Sequence, residues 1–94
     1  MPKLDKQKRL LIPLYFREEV NLSHDLALCY DFEEKAILIC NKEDIFNKYV
    51  ITFRTLDAKG RIIIPLEVLT LLDATTDDKL ILYLRNNNVF IRKF

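Results

Sequence analysis

The chain has 94 residues, half of them apolar and 31% charged, and its formal net charge is +1. This size and balance are typical of a single globular domain, and no apolar run approaches the ~20 residues that span a bilayer. The basic N-terminal segment is followed only by a short apolar stretch that Pro13 interrupts, unlike a secretory signal. We therefore expect one cytoplasmic domain without membrane association.

The first 40 residues predict a short strand, a helix and a hairpin, in that order. The strand covers 10–12, the helix covers 13–20, and the hairpin joins 26–32 to 36–40. Proline suits the start of the helix because the N–H that it lacks would have no helical partner there. A further strand before these elements is shortened to about 1–4, so we expect its pairing to be weak.

The second half of the chain predicts the same elements after a brief linker. Asn41 can cap a short helix over 42–48, with Asp44 in the capping-box position. The apolar residues of 66–72 surround most of a predicted helix, which indicates burial. The remaining predicted elements are a strand at 50–56, a turn at 57–60, a strand at 61–64, Pro65 before the helix, a polar connector at 73–78, and a hairpin of 79–84 and 89–93 over the asparagines 86–88.

These two halves are an internal repeat with an offset of 52 residues. The segments 4–14 and 56–66 share Leu, Asp, Arg, Ile, Pro and Leu at the same six places, and the register continues to Ile39 and Ile91 without a gap. Two copies are too few for a solenoid, which needs at least ~3. The repeat therefore predicts one pseudo-two-fold domain, with the first copy at 1–40, a linker at 41–49 and the second copy at 50–94.

Basic residues cluster around both copies of the shared segment although the whole chain is nearly neutral. Residues 1–10 contain four Lys or Arg and one acid, and Arg54, Lys59 and Arg61 surround Asp57 in the second copy. The other acids lie elsewhere in the chain. If the two segments come together in the fold, they form one basic face.

The sequence contains no pattern typical of an enzyme, a cofactor site or a metal site. Cys29 and Cys40 have no His or Cys partners at ligand spacing, so we expect reduced, buried thiols. A phosphate-binding glycine loop is excluded because Gly60 is the single glycine. We therefore predict no catalytic residue, no bound metal or cofactor, and no small-molecule substrate.

Four aromatic residues beside the first helix and the linker could stack on single-stranded nucleic acid or pack in the core. We expect core packing for most of them. They are Tyr15, Phe16, Phe46 and Tyr49.

The segment Leu-Asp-Ala-Lys-Gly-Arg-Ile-Ile-Ile-Pro at 56–65, with a short helix, a connector containing Asp-Asp-Lys-Leu and a terminal hairpin, resembles the AbrB-type swapped-hairpin module. That family includes AbrB and SpoVT regulators, MazE-type antitoxins and MraZ proteins. Two copies in one chain, each with Asp-x-x-x-Arg, resemble MraZ most. The resemblance covers about 4–40 and 50–93. It implies a mostly β fold with short helices, in which two β-β-α-β-β repeats interleave into one double-psi or swapped-hairpin β-barrel.

The same resemblance implies a transcription regulator that binds double-stranded DNA with sequence selectivity. The positions that match basic DNA-contacting positions of the family are Arg9 and Arg61 in the loops, Arg54 in the strand before the second loop, and Arg17 on the first helix. The counterparts of Arg54 and Arg17 in the other copy are Pro2 and Leu69, so the resemblance implies an asymmetric DNA face.

Residue chemistry supports this interpretation without the resemblance. An arginine that follows a tight turn is presented from a rigid frame, and its planar fork can read guanine edges or clamp phosphates. Lysines suit the phosphate backbone. We therefore predict a DNA interface made of Lys3, Lys6, Lys8, Arg9, Arg17, Arg54, Lys59 and Arg61, with Asp5, Asp57 and Gly60 shaping the loops.

Other interpretations stay open at this point. The Asp and Arg of each motif could pair for the fold alone. The chain could be a protein-interaction module, an antitoxin-like or assembly factor that does not bind DNA. The first copy could serve only to complete the barrel, since Lys8 replaces the glycine of the second copy. The pseudo-dimeric chain could also form a homo-oligomer.

Overall fold

The computed structural model describes residues 3–94, which form seven strands and two short helices. Of the first strand predicted at about 1–4, Met1 and Pro2 lie outside the described residues, and Lys3 and Leu4 are not part of a strand. The elements are β1 (Arg9–Leu11), α1 (Leu14–Glu19), β2 (Asp25–Asp31), β3 (Ala36–Asn41), β4 (Tyr49–Thr55), β5 (Arg61–Ile63), α2 (Leu66–Leu71), β6 (Leu80–Arg85) and β7 (Asn88–Lys93). The predicted mostly β fold with short helices is confirmed.

The strands form two antiparallel sheets that do not close into a barrel. One sheet contains β1 and β5, and the other has the order β4-β2-β3-β7-β6. The predicted single barrel is therefore not observed. The physical reason is that β1 and β5 are three residues long and pair with each other. Within residues 3–94, no strand ladder joins the small sheet to the large one or closes the large sheet between β4 and β6.

The pairing of the two sheets follows the pseudo-two-fold symmetry of the sequence. In the small sheet, Leu10 lies opposite its own counterpart Ile62. In the large sheet, Leu38 of β3 lies opposite its counterpart Phe90 of β7. An antiparallel pairing centred on two counterparts is what a two-fold axis through that pair produces. β4, which belongs to the second copy, pairs with β2 of the first, so the two copies share the large sheet.

Two apolar clusters lie on opposite faces of the large sheet, because successive side chains of a strand alternate between its faces. On β3, Ile37 and Ile39 join the larger cluster, which also contains Leu10, Ile62 and residues of α2, and against which Phe16 of α1 packs. Leu38 and Cys40 join the smaller cluster. Cys29 and Cys40 are buried free thiols there, as expected from the sequence. Among the described residues, no polar or charged residue is buried.

Residues 42–48 do not form the predicted helix. They make two successive turns, with backbone N–H bonds from Asp44 to the carbonyl of Asn41 and from Lys48 to that of Ile45. The Asn41 side chain is not available as a cap. Its Oδ1 accepts the N–H of Ser23 at 2.7 Å and its Nδ2 donates to a carbonyl of another loop. The Asn41 oxygen that a helix here would need as its N-cap acceptor is therefore used in a contact with a distant segment.

The predictions about apolar and aromatic burial are partly wrong. Tyr15, Phe46 and Tyr49 are exposed, whereas Phe16 packs against the larger cluster. In α2, Val68 and Leu69 are buried while Leu66 and Leu71 are exposed. For the helices the reason is geometric, because each has only six residues and one face toward the core. Phe46 lies in the turns at 42–48, and Tyr49 begins the edge strand β4. Within residues 3–94, neither helix is long and apolar enough to cross a membrane.

Candidate nucleic-acid interface

The two Asp-x-x-x-Arg loops have nearly identical side-chain networks. In the first loop, Oδ1 of Asp5 accepts the backbone N–H groups of Gln7 and Arg9, each at 2.9 Å, and Oδ2 accepts Nε of Arg9 at 2.7 Å. In the second loop, Asp57 makes the same three contacts with Lys59 and Arg61 at 2.9, 2.9 and 2.8 Å. Each carboxylate therefore both closes its turn and fixes the arginine that follows.

The backbone of the two loops repeats as closely as the side chains. In the first loop, the N–H of Asp5 donates to the carbonyl of Arg9 at 3.1 Å and that of Lys8 donates to the carbonyl of Asp5 at 2.9 Å. The equivalent bonds of the second loop are 2.9 and 3.0 Å long. Lys8 has a φ of 62° and Gly60 a φ of 81°. The first loop thus keeps the shape of the second, with a lysine in a left-handed conformation that favours glycine.

The two carboxyl groups have lowered pKa values. The largest cause is the hydrogen bond from the backbone N–H of Arg9 to Asp5 and of Arg61 to Asp57, and the guanidinium groups lower each pKa further. Both aspartates are consequently ionised at neutral pH, and their bonds to the arginines are charge-assisted.

Among residues 3–94, the side chain of each loop arginine is bound to the protein through Nε alone. The Nε of Arg9 and that of Arg61 are bound by the aspartates, and the two side chains are 28% and 26% exposed. Within residues 3–94, no hydrogen bond joins the terminal amino groups of either arginine to the protein. The guanidinium of each arginine is therefore fixed through Nε, and its two terminal amino groups can bind a ligand.

The β1–β5 ribbon brings the two loops together. Its register places Arg9 opposite Ile63 and Leu11 opposite Arg61. Two symmetric bonds extend the ladder into the loops, from the N–H of Ile12 to the carbonyl of Gly60 at 2.9 Å and from Ile64 to Lys8 at 2.8 Å. The central pair, Leu10 and Ile62, is buried. The four residues on the other side of the ribbon, Arg9, Leu11, Arg61 and Ile63, are called the ribbon face.

Arg17 lies beside the second loop, and its guanidinium is already bound within the protein. Its Nε donates to the carbonyl of Ile12 at 2.9 Å. Its guanidinium fills the space next to Gly60, where an added Cβ would lie 2.6 Å from Cζ of Arg17. Arg17 therefore links α1 to the loop of the other copy, and this contact was not evident from the sequence.

The other predicted basic residues are placed differently. Nη1 of Arg54 donates to Oγ1 of Thr52 and to the carbonyl of Phe53, both at 2.8 Å, which holds this guanidinium along its own strand. The lysines are exposed and lie in or next to the two loops: Lys3, Lys6, Lys8 and Lys59. The structure thus brings Arg9, Arg17 and Arg61 to the ribbon and its loops, with exposed lysines in or next to the same loops.

Sequence reasoning missed the apolar part of this surface. Leu11 and Ile63 are 52% and 51% exposed, and Leu14 and Leu66, which follow them, are also exposed. The runs at 10–12 and 62–64 are wholly apolar, so the sequence did not show which residues point outward. The one available signal was the period of two set by Arg9 and Arg61 at the start of each strand.

No protein-family model and no curated protein matches this chain. Within residues 3–94, no three side chains of the metal-binding types lie together in a group that could hold a metal ion. What the ribbon face can bind must therefore follow from its own residues.

Proposed function

We propose that this chain is a cytoplasmic, DNA-binding transcription regulator of the AbrB swapped-hairpin family, most like MraZ, and that its ribbon face binds double-stranded DNA. The observation that supports the proposal is the symmetric pair of arginines, Arg9 and Arg61, each held by an aspartate through Nε, with terminal amino groups that bond to nothing within residues 3–94. Neither the charge nor the size of the chain would suggest this by itself.

The arginine geometry suits base or phosphate recognition. The two free amino groups of a guanidinium can donate in parallel to O6 and N7 of guanine, or to two phosphate oxygens. Because Asp5 and Asp57 already orient the side chains, binding immobilises fewer rotamers, which lowers the entropic cost of association. The carboxylates would then be positioning groups for the arginines, as well as turn-forming groups.

The ribbon as a whole suits the major groove of DNA. That groove is ~12 Å wide and admits a two-stranded β-ribbon. A pseudo-two-fold ribbon presents Arg9 and Arg61 symmetrically, so it can read two similar half-sites. The exposed lysines of the flanking loops can reach the phosphates, and each phosphate contact makes the dependence on salt steeper by about 0.9 in a plot of log affinity against log salt.

The test is fluorescence-anisotropy binding to a random duplex over a salt series. We expect affinity that falls steeply with salt, and a slope that is shallower by roughly 1.8 in the Arg9→Ala/Arg61→Ala double variant if both arginines contact phosphate. Arg85→Ala/Arg92→Ala, which removes two charges from the hairpin of β6 and β7 instead, is the matched control and should change the slope little. Absence of binding at low salt would exclude the proposal.

The alternative function is a protein-interaction module. The observation that favours it is the symmetric set of exposed apolar residues, Leu11, Leu14, Ile63 and Leu66, because contiguous exposed apolar surface often marks a protein interface. Such a partner, including a second copy in a homo-oligomer, would be bound with little dependence on salt. Sedimentation velocity of the wild type and of Leu14→Ser/Leu66→Ser distinguishes self-association through this surface from a monomer that binds DNA.

A further inference from the structure

We propose that Leu11 and Ile63 are specificity residues that recognise the 5-methyl group of thymine beside the bases contacted by Arg61 and Arg9. This inference rests on the proposed DNA binding. It concerns the two apolar members of the ribbon face, which neither the repeat nor the arginine network explains.

The geometry places each of these apolar side chains next to an arginine. Leu11 lies opposite Arg61 and Ile63 lies opposite Arg9 in the β1–β5 register. Directly opposite residues of an antiparallel pair have Cβ atoms about 4.5–5.5 Å apart on the same face of the ribbon. Because Leu10 and Ile62 are buried on the other face, Leu11 and Ile63 share the outward side with the arginines.

The chemistry limits what these side chains can contact on DNA. An aliphatic group offers no hydrogen bond and no charge, so it gains nothing from a phosphate. The thymine methyl is the apolar group that base pairs present in the major groove. If the arginines reach guanine edges, the aliphatic side chains beside them lie over neighbouring base edges, where a methyl group can be buried.

The symmetry sets the form of the recognised sequence. Each arginine has one aliphatic neighbour across the ribbon, and the two pairs are related by the axis through Leu10 and Ile62. The preferred site should therefore contain two half-sites, each with a guanine close to a thymine. Leu11 and Ile63 differ in shape, so the two half-sites need not be identical.

The experiment replaces thymine by uracil, one position at a time, in a duplex selected for tight binding from a random pool. Uracil keeps O4 and base pairing and lacks only the methyl group. For the wild type we expect two symmetry-related positions at which uracil lowers affinity about fourfold, which corresponds to ~0.8 kcal/mol per buried methyl-sized group. Leu11→Ser should remove the effect at one position and Ile63→Ser at the other.

Leu71→Ser is the matched control because Leu71 is an exposed leucine of α2 outside the ribbon face. It should leave both uracil effects unchanged. If a serine variant does not fold, the uracil scan with the wild-type protein still tests the inference, because that scan changes only the DNA. Binding that is equal for thymine and uracil at every position overturns this inference and leaves DNA binding intact. Absence of any duplex binding instead overturns the proposed function.

Discussion

The two Asp-x-x-x-Arg loops share one backbone and one carboxylate network, but they differ at the left-handed residue and in the side chain that accompanies it. The second loop has Gly60 with Arg17 of α1 packed against it. The first loop has Lys8, and the counterpart of Arg17 in α2 is the buried Leu69. Because Lys8 adopts nearly the same φ as Gly60, the turn itself does not require glycine.

A tertiary contact is a second constraint on Gly60, beside its left-handed φ. A Cβ on Gly60 would overlap the guanidinium of Arg17, whose Nε is fixed on the carbonyl of Ile12. A lysine at the position equivalent to Gly60 allows two alternatives, a turn of different shape or a strained residue. The structure decides for the second, because the hydrogen bonds of the two loops match, so Lys8 carries a left-handed backbone at a cost of order 1 kcal/mol.

The largest expected effect concerns the two arginines, whose equal geometry predicts equal roles. If each makes a bidentate base contact, Arg9→Ala and Arg61→Ala should each weaken DNA binding by about 1–3 kcal/mol. Isothermal titration calorimetry with each single variant measures this. A loss for Arg61→Ala alone would show that the first copy only completes the fold, as one hypothesis from the sequence holds.

Gly60→Ala should lower the free energy of unfolding by about 1–3 kcal/mol, because a left-handed residue gains a Cβ and Arg17 must move away. Urea denaturation measures the change. Repeating the substitution in Arg17→Ala forms a double-mutant cycle. The cost should fall there, and a cost that stays the same would mean that the contact with Arg17 is not its cause.

Lys8→Gly should stabilise the fold, in contrast to Gly60→Ala. We expect the free energy of unfolding to rise by roughly 0.5 kcal/mol, because relief of the left-handed strain exceeds the extra entropy of glycine in the unfolded chain. Thermal and urea denaturation of this variant beside Gly60→Ala measure the contrast. Destabilisation by Lys8→Gly would indicate that the lysine side chain makes a contact that compensates its backbone.

Protonation of Asp5 and Asp57 is expected to have the smallest effect on stability at ordinary pH. Their pKa values are lowered from 3.8, so their contribution to stability is complete above the unfolded value and is lost as pH falls through the lower, folded values. Loop structure should be constant from pH 8 to about 5. NMR titration of the carboxyl carbons should give midpoints below 3.8 for both residues.

Arg61→Ala tests whether the carboxyl groups of the two loops titrate independently. It should raise the midpoint of Asp57 part of the way back toward 3.8, since the backbone N–H bond remains when the guanidinium is removed. The midpoint of Asp5 should stay where it is and so serves as the internal control. A change at both residues would mean that the two loops are coupled through the ribbon.

The sequence alone determined the features that depend on neighbours along the chain. The offset of 52 residues predicted a pseudo-two-fold domain, and in the structure Leu10 pairs with Ile62 and Leu38 with Phe90. Pro13 and Pro65 directly precede the two helices, and Asn86 and Asn87 make a left-handed hairpin turn, because these residue types restrict or permit particular backbone angles whatever surrounds them.

Features that depend on contacts between residues far apart in the sequence could be read only from the folded structure. Asn41 binds Ser23 instead of capping a linker helix, and Arg17 of the first copy packs against Gly60 of the second. The open arrangement of two sheets followed from which strands pair. The exposure of Leu11 and Ile63 followed from which face of the ribbon packs on the core. The reason is that local patterns set backbone angles, whereas pairing, packing and exposure are set by surfaces that meet only when the chain has folded.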